Sequence, residues 1–293
     1  MRLLVLGDFQ GVFSGKLKRR LQREEFDLIV GVGDYGGIRD WRPWVMKNLE
    51  ESSKGNDYLT AEEYFGKRRL KELVKKDEEN TKKVLIGIND LGKEVIFVFG
   101  NGDDSWYKYP FIPNSPKIKK KFARFLSKLK NFNDITYGKR RFLGINFIGF
   151  GGYMDIDAYF DKKVFLEAGN KERFMVRMSR RIKSKINFLN RLKKIRGEKI
   201  FVFHYPPKGF FDIIKDKKDN PMNGKSSGIG FFTEAIKKYN PKIVLCGHMH
   251  EYQGAKKIHG SLIVNPGDAE KGRYAIVDIS EDGKRRARVK FIK

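Results

Sequence analysis

The sequence predicts an α/β protein, and three observations lead to that class. Five apolar runs of the buried-strand type recur along the chain, and each ends in a short polar motif. Segments with helical periodicity lie between these runs, most clearly over residues 173–196. A length of 293 residues with 40% hydrophobic content is enough for one large α/β domain, or for one domain with an insertion.

The five strands are predicted from their composition, and a polar motif follows each of them within three residues. The apolar runs cover residues 3–6, 28–30, 95–99, 200–203 and 243–246. The motifs are, in order, Gly7-Asp8-Phe9-Gln10, Gly33-Asp34, Gly100-Asn101-Gly102-Asp103, His204-Tyr205-Pro206-Pro207 and Gly247-His248-Met249-His250. Side chains at the ends of successive strands converge in space, and Asp, Asn and His are donors that suit divalent cations. The pattern therefore predicts a metal site at the strand ends.

This prediction depends on the whole set of motifs. A lone Asp at a strand end usually caps the helix that follows it, and a lone His is more often an ordinary hydrogen-bonded group than a metal ligand. The chain has four histidines, and three of them fall in the motifs. We expect the fourth, His259, to be an ordinary surface residue in a turn.

In order and spacing, the five motifs resemble those of the calcineurin-like metallophosphoesterases. The pattern of that family runs Asp-x-His, Gly-Asp, Gly-Asn-His-Asp, His and Gly-His-x-His, and the resemblance spans roughly the whole chain. It implies an α/β fold of the four-layer αββα sandwich type with helical insertions. We expect a single domain over residues 1–293, with inserted segments at about 36–94 and 154–197.

The resemblance also implies an activity and a role for each motif residue. The activity is metal-dependent hydrolysis of a phosphodiester by a metal-activated hydroxide. Asp34 would bridge two divalent ions (Mn, Fe, Zn or Ni), because a carboxylate has two oxygens and its charge offsets two adjacent cations. Asp8, Gln10 and His250 would complete one metal site and Asn101, His204 and His248 the other, and the catalytic group would be Asp103, His204 and His248.

Two positions depart from the family pattern. Gln10 stands where the family has His, and a Gln oxygen is a weaker donor, so this metal site is expected to be labile or to fill only with substrate. Gly102 replaces the His of the third motif, which favours substrates with good leaving groups or a proton donor from elsewhere. Gly102 is also compatible with an ordinary turn.

The charge balance is the second strong signal in the sequence. The formal net charge is +26, from 62 basic and 36 acidic residues. Such a field attracts nucleic acid or acidic phospholipid headgroups, whereas heat adaptation raises both signs of charge together. The basic residues concentrate in a helix over 173–196 and in a cluster at Lys117, Lys119, Lys120, Lys121 and Arg124, and both should flank the metal cleft if they bind a polyanion. The predicted packed face of the first helix is Phe174, Met178, Ile182, Ile186, Leu189 and Leu192.

Other features of the sequence indicate the expected cellular compartment and the structure of the inserted segments. Cys246 is the single cysteine and is expected to be a buried thiol, which agrees with a reducing cytoplasm. We expect neither a signal peptide nor a membrane span, because no apolar stretch approaches about 18–20 residues. A capping-box pattern at Thr60-Ala61-Glu62-Glu63 predicts a helix start, and Trp106, Tyr107 and Tyr109 follow the third motif, where they would stack bases or pack.

Two other functions remain open from the sequence. The first is a small-molecule phosphatase or nucleotide hydrolase, for which the basic surface reflects only solubility or heat adaptation. The second is a catalytically weakened nucleic-acid-binding module on the same fold, suggested by Gln10 and Gly102. The partners expected are thus a phosphoester substrate and, from the net charge, nucleic acid, while the oligomeric state is not predicted.

Overall fold

The computed structural model describes residues 1–103, 107–108, 117–118, 120–152, 160–216, 220–280 and 287–293. The predicted stacking aromatics Trp106 and Tyr109 lie outside these ranges, as does Lys119 of the basic cluster. Side chains are not described for Tyr107, Lys117, Lys120, Lys121, Arg180 and Arg181.

Strands account for two large sheets and one small ribbon. The strands are β1 Arg2–Leu6, β2 Leu28–Gly31, β3 Glu94–Phe97, β4 Tyr107–Lys108, β5 Lys117–Ile118, β6 Phe132–Asp134, β7 Lys139–Phe142, β8 Ile145–Phe150, β9 Lys199–Phe203, β10 Ile243–Leu245, β11 Gly254–Ile258, β12 Ser261–Asn265, β13 Tyr274–Ile279 and β14 Ala287–Ile292.

Eight α-helices lie within the described residues. They are α1 Gly15–Leu21, α2 Arg42–Ser53, α3 Ala61–Phe65, α4 Lys67–Asn89, α5 Lys120–Leu126, α6 Lys162–Glu167, α7 Lys171–Lys193 and α8 Gly230–Tyr239. Short 3₁₀ turns occur at Arg39–Trp41, Asn101–Asp103 and Ala269–Lys271.

Each large sheet contains four parallel strands, with antiparallel strands at one edge of the first sheet and at both edges of the second. The first sheet has the order β14-β13-β1-β2-β3-β6, in which β1, β2, β3 and β6 are parallel. The second has the order β11-β12-β10-β9-β8-β7, in which β12, β10, β9 and β8 are parallel. The parallel central strands therefore bring their carboxyl ends to one edge of each sheet.

The two sheets pack face to face, and helices cover their outer faces. A buried cluster between the sheets joins Val5 and Val30 of the first to Phe147 and Val202 of the second. A second cluster packs α1, α4 and α5 on the outside of the first sheet, and a third packs α7 and α8 on the outside of the second. The four-layer αββα arrangement is thus confirmed, with a strand before each of the five motifs.

Helix α7 differs from its prediction in which side chains it buries. Phe174 and Leu192 are buried, but Ile182 and Ile186 are 52% and 50% exposed, so their assignment to the packed face was wrong. The amino-terminal end of the helix packs in a small cluster with α6, while Phe188, near its carboxyl end, packs on the second sheet. The middle of the helix crosses between these two supports, and its apolar stripe there stays exposed.

Candidate metal centre

The motif side chains come together at the carboxyl ends of five strands. Asp8 follows β1, Asp34 follows β2, Asn101 follows β3, His204 follows β9, and His248 and His250 follow β10. Backbone hydrogen bonds tie these strand ends to one another. The amide of Asp8 donates to Gly33 O at 2.9 Å, and the amide of Gly247 donates to His204 O at 2.9 Å. Residues far apart in sequence therefore share one edge of the sandwich.

One group of ligand atoms contains Asp34, His204 and His248, whose donor atoms lie within 4.8 Å of one another. Asn101 belongs with this group, because its Oδ1 is 2.8 Å from His204 Nε2 and 2.8 Å from His248 Nδ1. The arrangement offers one carboxylate, two imidazoles and one amide oxygen around a common centre. Such a donor set suits Mn, Fe or Zn.

A second group contains Asp8, Asp34 and His250, again with donor atoms within 4.8 Å of one another. Asp34 is therefore shared by both groups. His250 Nε2 lies 3.4 Å from Asp8 Oδ1. Gln10 Nε2 lies 3.3 Å from Asp34 Oδ2, so the carboxamide that replaces the family histidine is beside the shared carboxylate. Rotating this amide by half a turn would present its oxygen instead.

The backbone at the site adopts conformations that side chains rarely use. Asp8, Gln10, Asp34 and His248 have φ values of 56°, 49°, 55° and 68°, in the left-handed region. Non-glycine residues adopt this region only when the surroundings enforce it, and such residues cluster at functional sites. The strained turns direct the four side chains towards the common centre.

The ring of His204 is oriented by a main-chain carbonyl. Its Nδ1 lies 2.9 Å from Val32 O and donates to it, which leaves the lone pair of a neutral ring on Nε2. That lone pair faces the carbonyl oxygen of Asn101 at 2.8 Å. The Nε2 of a neutral ring and the amide oxygen are both ligand atoms for a divalent cation, and a cation bound between them would be held by both.

Asp8 gives an independent sign that the site fits a cation. Its side chain is fully buried, and its Oδ2 has no hydrogen-bond partner among the described residues. Its Oδ1 accepts the backbone N–H of His248 at 3.0 Å. A buried carboxylate oxygen without a partner is costly, and coordination to a metal removes that cost.

The acidities of the site groups are shifted by burial and by the charges of their neighbours. Burial raises the pKa of Asp34; the charge of His204 opposes this rise and the charge of Asp8 adds to it. Burial also lowers the pKa of His248 well below its usual value, with the neighbouring histidines acting in the same direction. For His250, burial lowers the pKa, but the hydrogen bond and charge of Asp8 outweigh burial and bring the pKa to about 9.

Asp103 lies beneath the site. Its carboxylate is fully buried and accepts three backbone N–H groups: those of Asp34 at 3.0 Å, Gly36 at 2.8 Å and Gly100 at 2.7 Å. Burial, followed by the charge of Asp34, raises its pKa well above the usual range. These contacts fit a residue that positions the bridging loop, so we propose this role for Asp103 in place of the catalytic role expected from its motif.

Gly102 is in close contact with the loop that follows β2. A Cβ on Gly102 would lie 3.1 Å from Asp34 Oδ1, and a Cβ on Gly37 would lie 2.8 Å from Gly102 Cα. The backbone N–H of Gly102 donates to Asp34 Oδ1 at 2.7 Å. The position is therefore one of close backbone approach, for which glycine is suited.

Two buried acids near the site were missed in the sequence. Asp268 is fully buried, and Lys271 Nζ lies 2.6 Å from its Oδ2, while its Oδ1 has no hydrogen-bond partner among the described residues. Asp77 on α4 is 1% exposed and accepts two backbone N–H groups of the loop after Asp34. Neither belongs to a motif, and an Asp within a polar helix gives no signal of burial.

The basic end of α7 lies away from these ligands. The carbonyl of Arg196 accepts a hydrogen bond at 3.0 Å from Asn146, near the start of β8. The opposite end of β8 is at the site, where Phe150 O accepts the amide of His204 at 3.1 Å. Lys193 and Lys194 therefore lie at the far end of the second sheet and do not flank the metal cleft, so this end of the helix does not meet the condition that we set for polyanion binding.

Comparison with known proteins places this architecture in a family. A family model described as metallophosphoesterase, calcineurin superfamily, matches residues 14–287. The chain belongs to this family. The family expected from the five motifs is confirmed, and with it a phosphoric ester hydrolase that requires divalent metal.

Solved structures share the fold of this metallophosphoesterase at low sequence identity. A crystal structure with a TM-score of 0.63 and 19% identity covers 100% of this chain and 99% of the other. TT1561 of Thermus thermophilus has a TM-score of 0.51 at 15% identity, with 100% and 99% of the two chains covered. A phosphopantetheinyl hydrolase from Mycobacterium tuberculosis has a TM-score of 0.51 at 11% identity, with 92% and 90% covered. At these identities the likeness shows the fold alone.

No curated protein matches the metallophosphoesterase in sequence. Among the described residues, no helix combines the length and the apolar character that crossing a bilayer requires.

Proposed function

We propose that this metallophosphoesterase hydrolyses a phosphodiester at a centre of two divalent metal ions. The observation that carries the proposal is the sharing of Asp34 between two compact groups of ligand atoms, one with His204 and His248 and one with Asp8 and His250. A single metal would need only one of these groups. Two groups joined by one carboxylate match a site for a pair of ions.

In this proposal each ligand residue of the metal centre has a defined role. Asp34 would hold both ions; Asp8, Gln10 and His250 would complete one site, and Asn101, His204 and His248 would form the other. The ions would supply an activated water nucleophile and would neutralise the phosphoryl oxygens. Val32 O keeps the lone pair of His204 directed to the centre, and the N–H of Gly102 fixes one oxygen of Asp34.

Gly102 supports a diester with a good leaving group as the substrate. No imidazole can extend from this position to protonate a departing alkoxide, and general acid catalysis is worth about 10²–10⁴-fold. Substrates whose leaving group departs as a stable anion depend least on such a donor. A phosphopantetheinyl hydrolase with a similar fold illustrates that this architecture serves hydrolysis of a phosphoester.

The experiment is a metal screen with chromogenic substrates. The protein, freed of metal by a chelator, would be loaded with Mn²⁺, Zn²⁺, Fe²⁺ or Ni²⁺, with the Fe²⁺ samples kept anaerobic. We expect hydrolysis of bis-p-nitrophenyl phosphate that exceeds hydrolysis of the monoester, with two ions bound per chain. Asp34→Asn should abolish both activities. Equal rates with and without metal, or a preference for the monoester, would contradict the proposal.

Two kinds of substrate are compatible with this activity: nucleic acid, and a small diester or nucleotide. The net charge of +26 supports nucleic acid, because a positive field attracts a polyanion. The position of Lys193 and Lys194, far from the ligands, supports a small substrate. Labelled DNA and RNA in the same metal screen separate the two: cleavage that depends on the same metal identifies nucleic acid as a substrate.

A further inference from the structure

The loop that follows Asp34 is held by two buried carboxylates from opposite sides. Asp103 accepts the N–H groups of Asp34 and Gly36, at 3.0 and 2.8 Å. Asp77 Oδ1 accepts those of Gly37 and Ile38, at 2.9 and 3.2 Å. Four backbone donors within residues 34–38 are thus bound to two side chains. Consecutive amides around an anion form a rigid concave turn.

Asp77 differs from Asp103 in its position in the chain. It lies in the middle of α4, within the segment between the second and third motifs, and its side chain is 1% exposed. Thr81 on the next turn of α4 also contacts the loop, since a Cβ on Gly36 would lie 2.5 Å from Thr81 Oγ1. The loop is therefore enclosed between α4 on one side and the Asn101–Asp103 turn on the other, and it cannot shift without moving one of them.

The same loop holds the first motif in place. Asp34 O accepts the amides of Phe9 at 2.8 Å and Gln10 at 3.2 Å, and Tyr35 O accepts that of Gly11 at 3.0 Å. A displacement of the loop would therefore move the bridging carboxylate and also the turn that carries Asp8 and Gln10. Both ligand groups depend on this one segment.

We propose that Asp77 is a positioning residue for the metal centre, acting through the Gly37–Ile38 amides on Asp34. The inference rests on the proposed two-metal function and deepens it, by assigning a site role to the helix inserted between the second and third motifs. Residues that orient metal ligands from outside affect metal affinity or activity by about 10–100-fold when changed.

The test compares four variants for Mn²⁺ affinity, measured by calorimetry far below the melting temperature. Asp77→Ala removes both acceptor contacts and should weaken Mn²⁺ binding about tenfold. It should also lower kcat for bis-p-nitrophenyl phosphate while KM stays unchanged. Asp77→Asn keeps an oxygen for both N–H groups and should restore affinity and kcat. Glu79→Ala, which removes an exposed carboxylate from the same helix, should change neither.

Asp77→Glu keeps the role testable if the alanine variant does not fold. It retains the charge but moves the oxygen outward by one methylene, which pushes the loop towards Gly102 and should weaken Mn²⁺ binding. Unchanged Mn²⁺ affinity in the folded Ala or Glu variant overturns the proposal, even if the melting temperature falls. Because affinity is read without turnover, failure of the wild-type protein to hydrolyse the diester would count against the proposed reaction and not against Asp77.

Discussion

The Cα of Gly37 lies 3.1 Å from the point that a Cβ on Gly102 would occupy. Few real Cβ atoms approach a neighbouring atom so closely, so the close packing of these two backbone segments favours glycine at both positions. The histidine of the family motif is missing at a position that the backbone of the loop after Asp34 approaches closely. The loss of that imidazole is therefore linked to the packing of the segment that follows Asp34.

Gly102→Ala should destabilise the protein, because the added Cβ meets both Gly37 and Asp34 Oδ1 at 3.1 Å. Overpacking of this kind costs about 1–3 kcal/mol. Gly102→His should show the same loss of stability. It should flatten the dependence of the hydrolysis rate on leaving-group pKa only if the loop after Asp34 shifts to make room for the imidazole. Thermal unfolding of the metal-free proteins gives the measurement.

The matched control is Gly230→Ala at the start of α8, where a Cβ meets nothing within 4 Å. Its stability should equal or exceed that of the wild type. A Gly102→Ala variant as stable as this control would show that the loop is free to move.

Gln10→His should strengthen binding at the group formed by Asp8, Asp34 and His250. Gln10 already lies beside the shared carboxylate, with its Nε2 3.3 Å from Asp34 Oδ2, and an imidazole is a better donor to Mn, Fe or Zn than an amide. Calorimetric titration with Mn²⁺ should show a tighter first or second binding step. The exposed Gln22→His serves as the control for a histidine added elsewhere. Equal affinities in the wild type and Gln10→His would show that Gln10 is an adequate ligand or plays no metal role.

Much of the architecture was predictable because strands and motifs are local patterns. Apolar runs of three to five residues, each followed by a motif that contains Asp, Asn or His, predicted the five strands that carry the site and their polar ends. The capping box at Thr60 was also predictable, and the structure shows Glu63 N donating to Thr60 Oγ1 at 3.2 Å. Each of these signals lies within a few neighbouring residues.

The missed features depend on contacts across the chain. Asp77 stands in a run of Lys, Asp and Glu that reads as solvated, and only the return of the loop at Gly37 buries it. Helical periodicity correctly predicted α7. It could not show that α7 packs against the rest of the protein mainly at its two ends, an arrangement that leaves Ile182 and Ile186 exposed. Lys193 lies far from the metal ligands because α7 ends near the point where β9 begins, at the end of the second sheet opposite the site. The net charge of the chain gives no information about this position.

Reversing charge at Lys193 and Lys194 should leave hydrolysis intact. With Glu at both positions, turnover of bis-p-nitrophenyl phosphate and any cleavage of labelled DNA should match the wild type, because these residues lie at the end of the sheet opposite His204. A polyanion bound at that end would instead show a flatter salt dependence, by about 0.9 in slope for each phosphate contact on duplex DNA. Loss of DNA cleavage with retained ester hydrolysis would contradict the expected independence.

Metal binding at the Asp8–His250 group should release a proton at neutral pH. In the metal-free protein, burial lowers the pKa of His250 but the hydrogen bond and charge of Asp8 prevail and raise it to about 9, so the ring is protonated at pH 7. The raised pKa stabilises the folded metal-free protein fully below the unfolded pKa of about 6.5, and this contribution is lost as pH rises through about 9. A coordinating imidazole must lose its proton, so metal affinity should rise from pH 7 to pH 9.

Calorimetry at pH 7 in buffers of different ionisation enthalpy measures the number of protons released. His259→Gln, which removes an exposed histidine in the β11–β12 turn, should leave that number unchanged. His250→Gln should abolish the release from this group and weaken binding there. Metal affinity that does not vary between pH 7 and pH 9 would show that His250 is neutral before the metal arrives, and that Asp8 does not hold its proton.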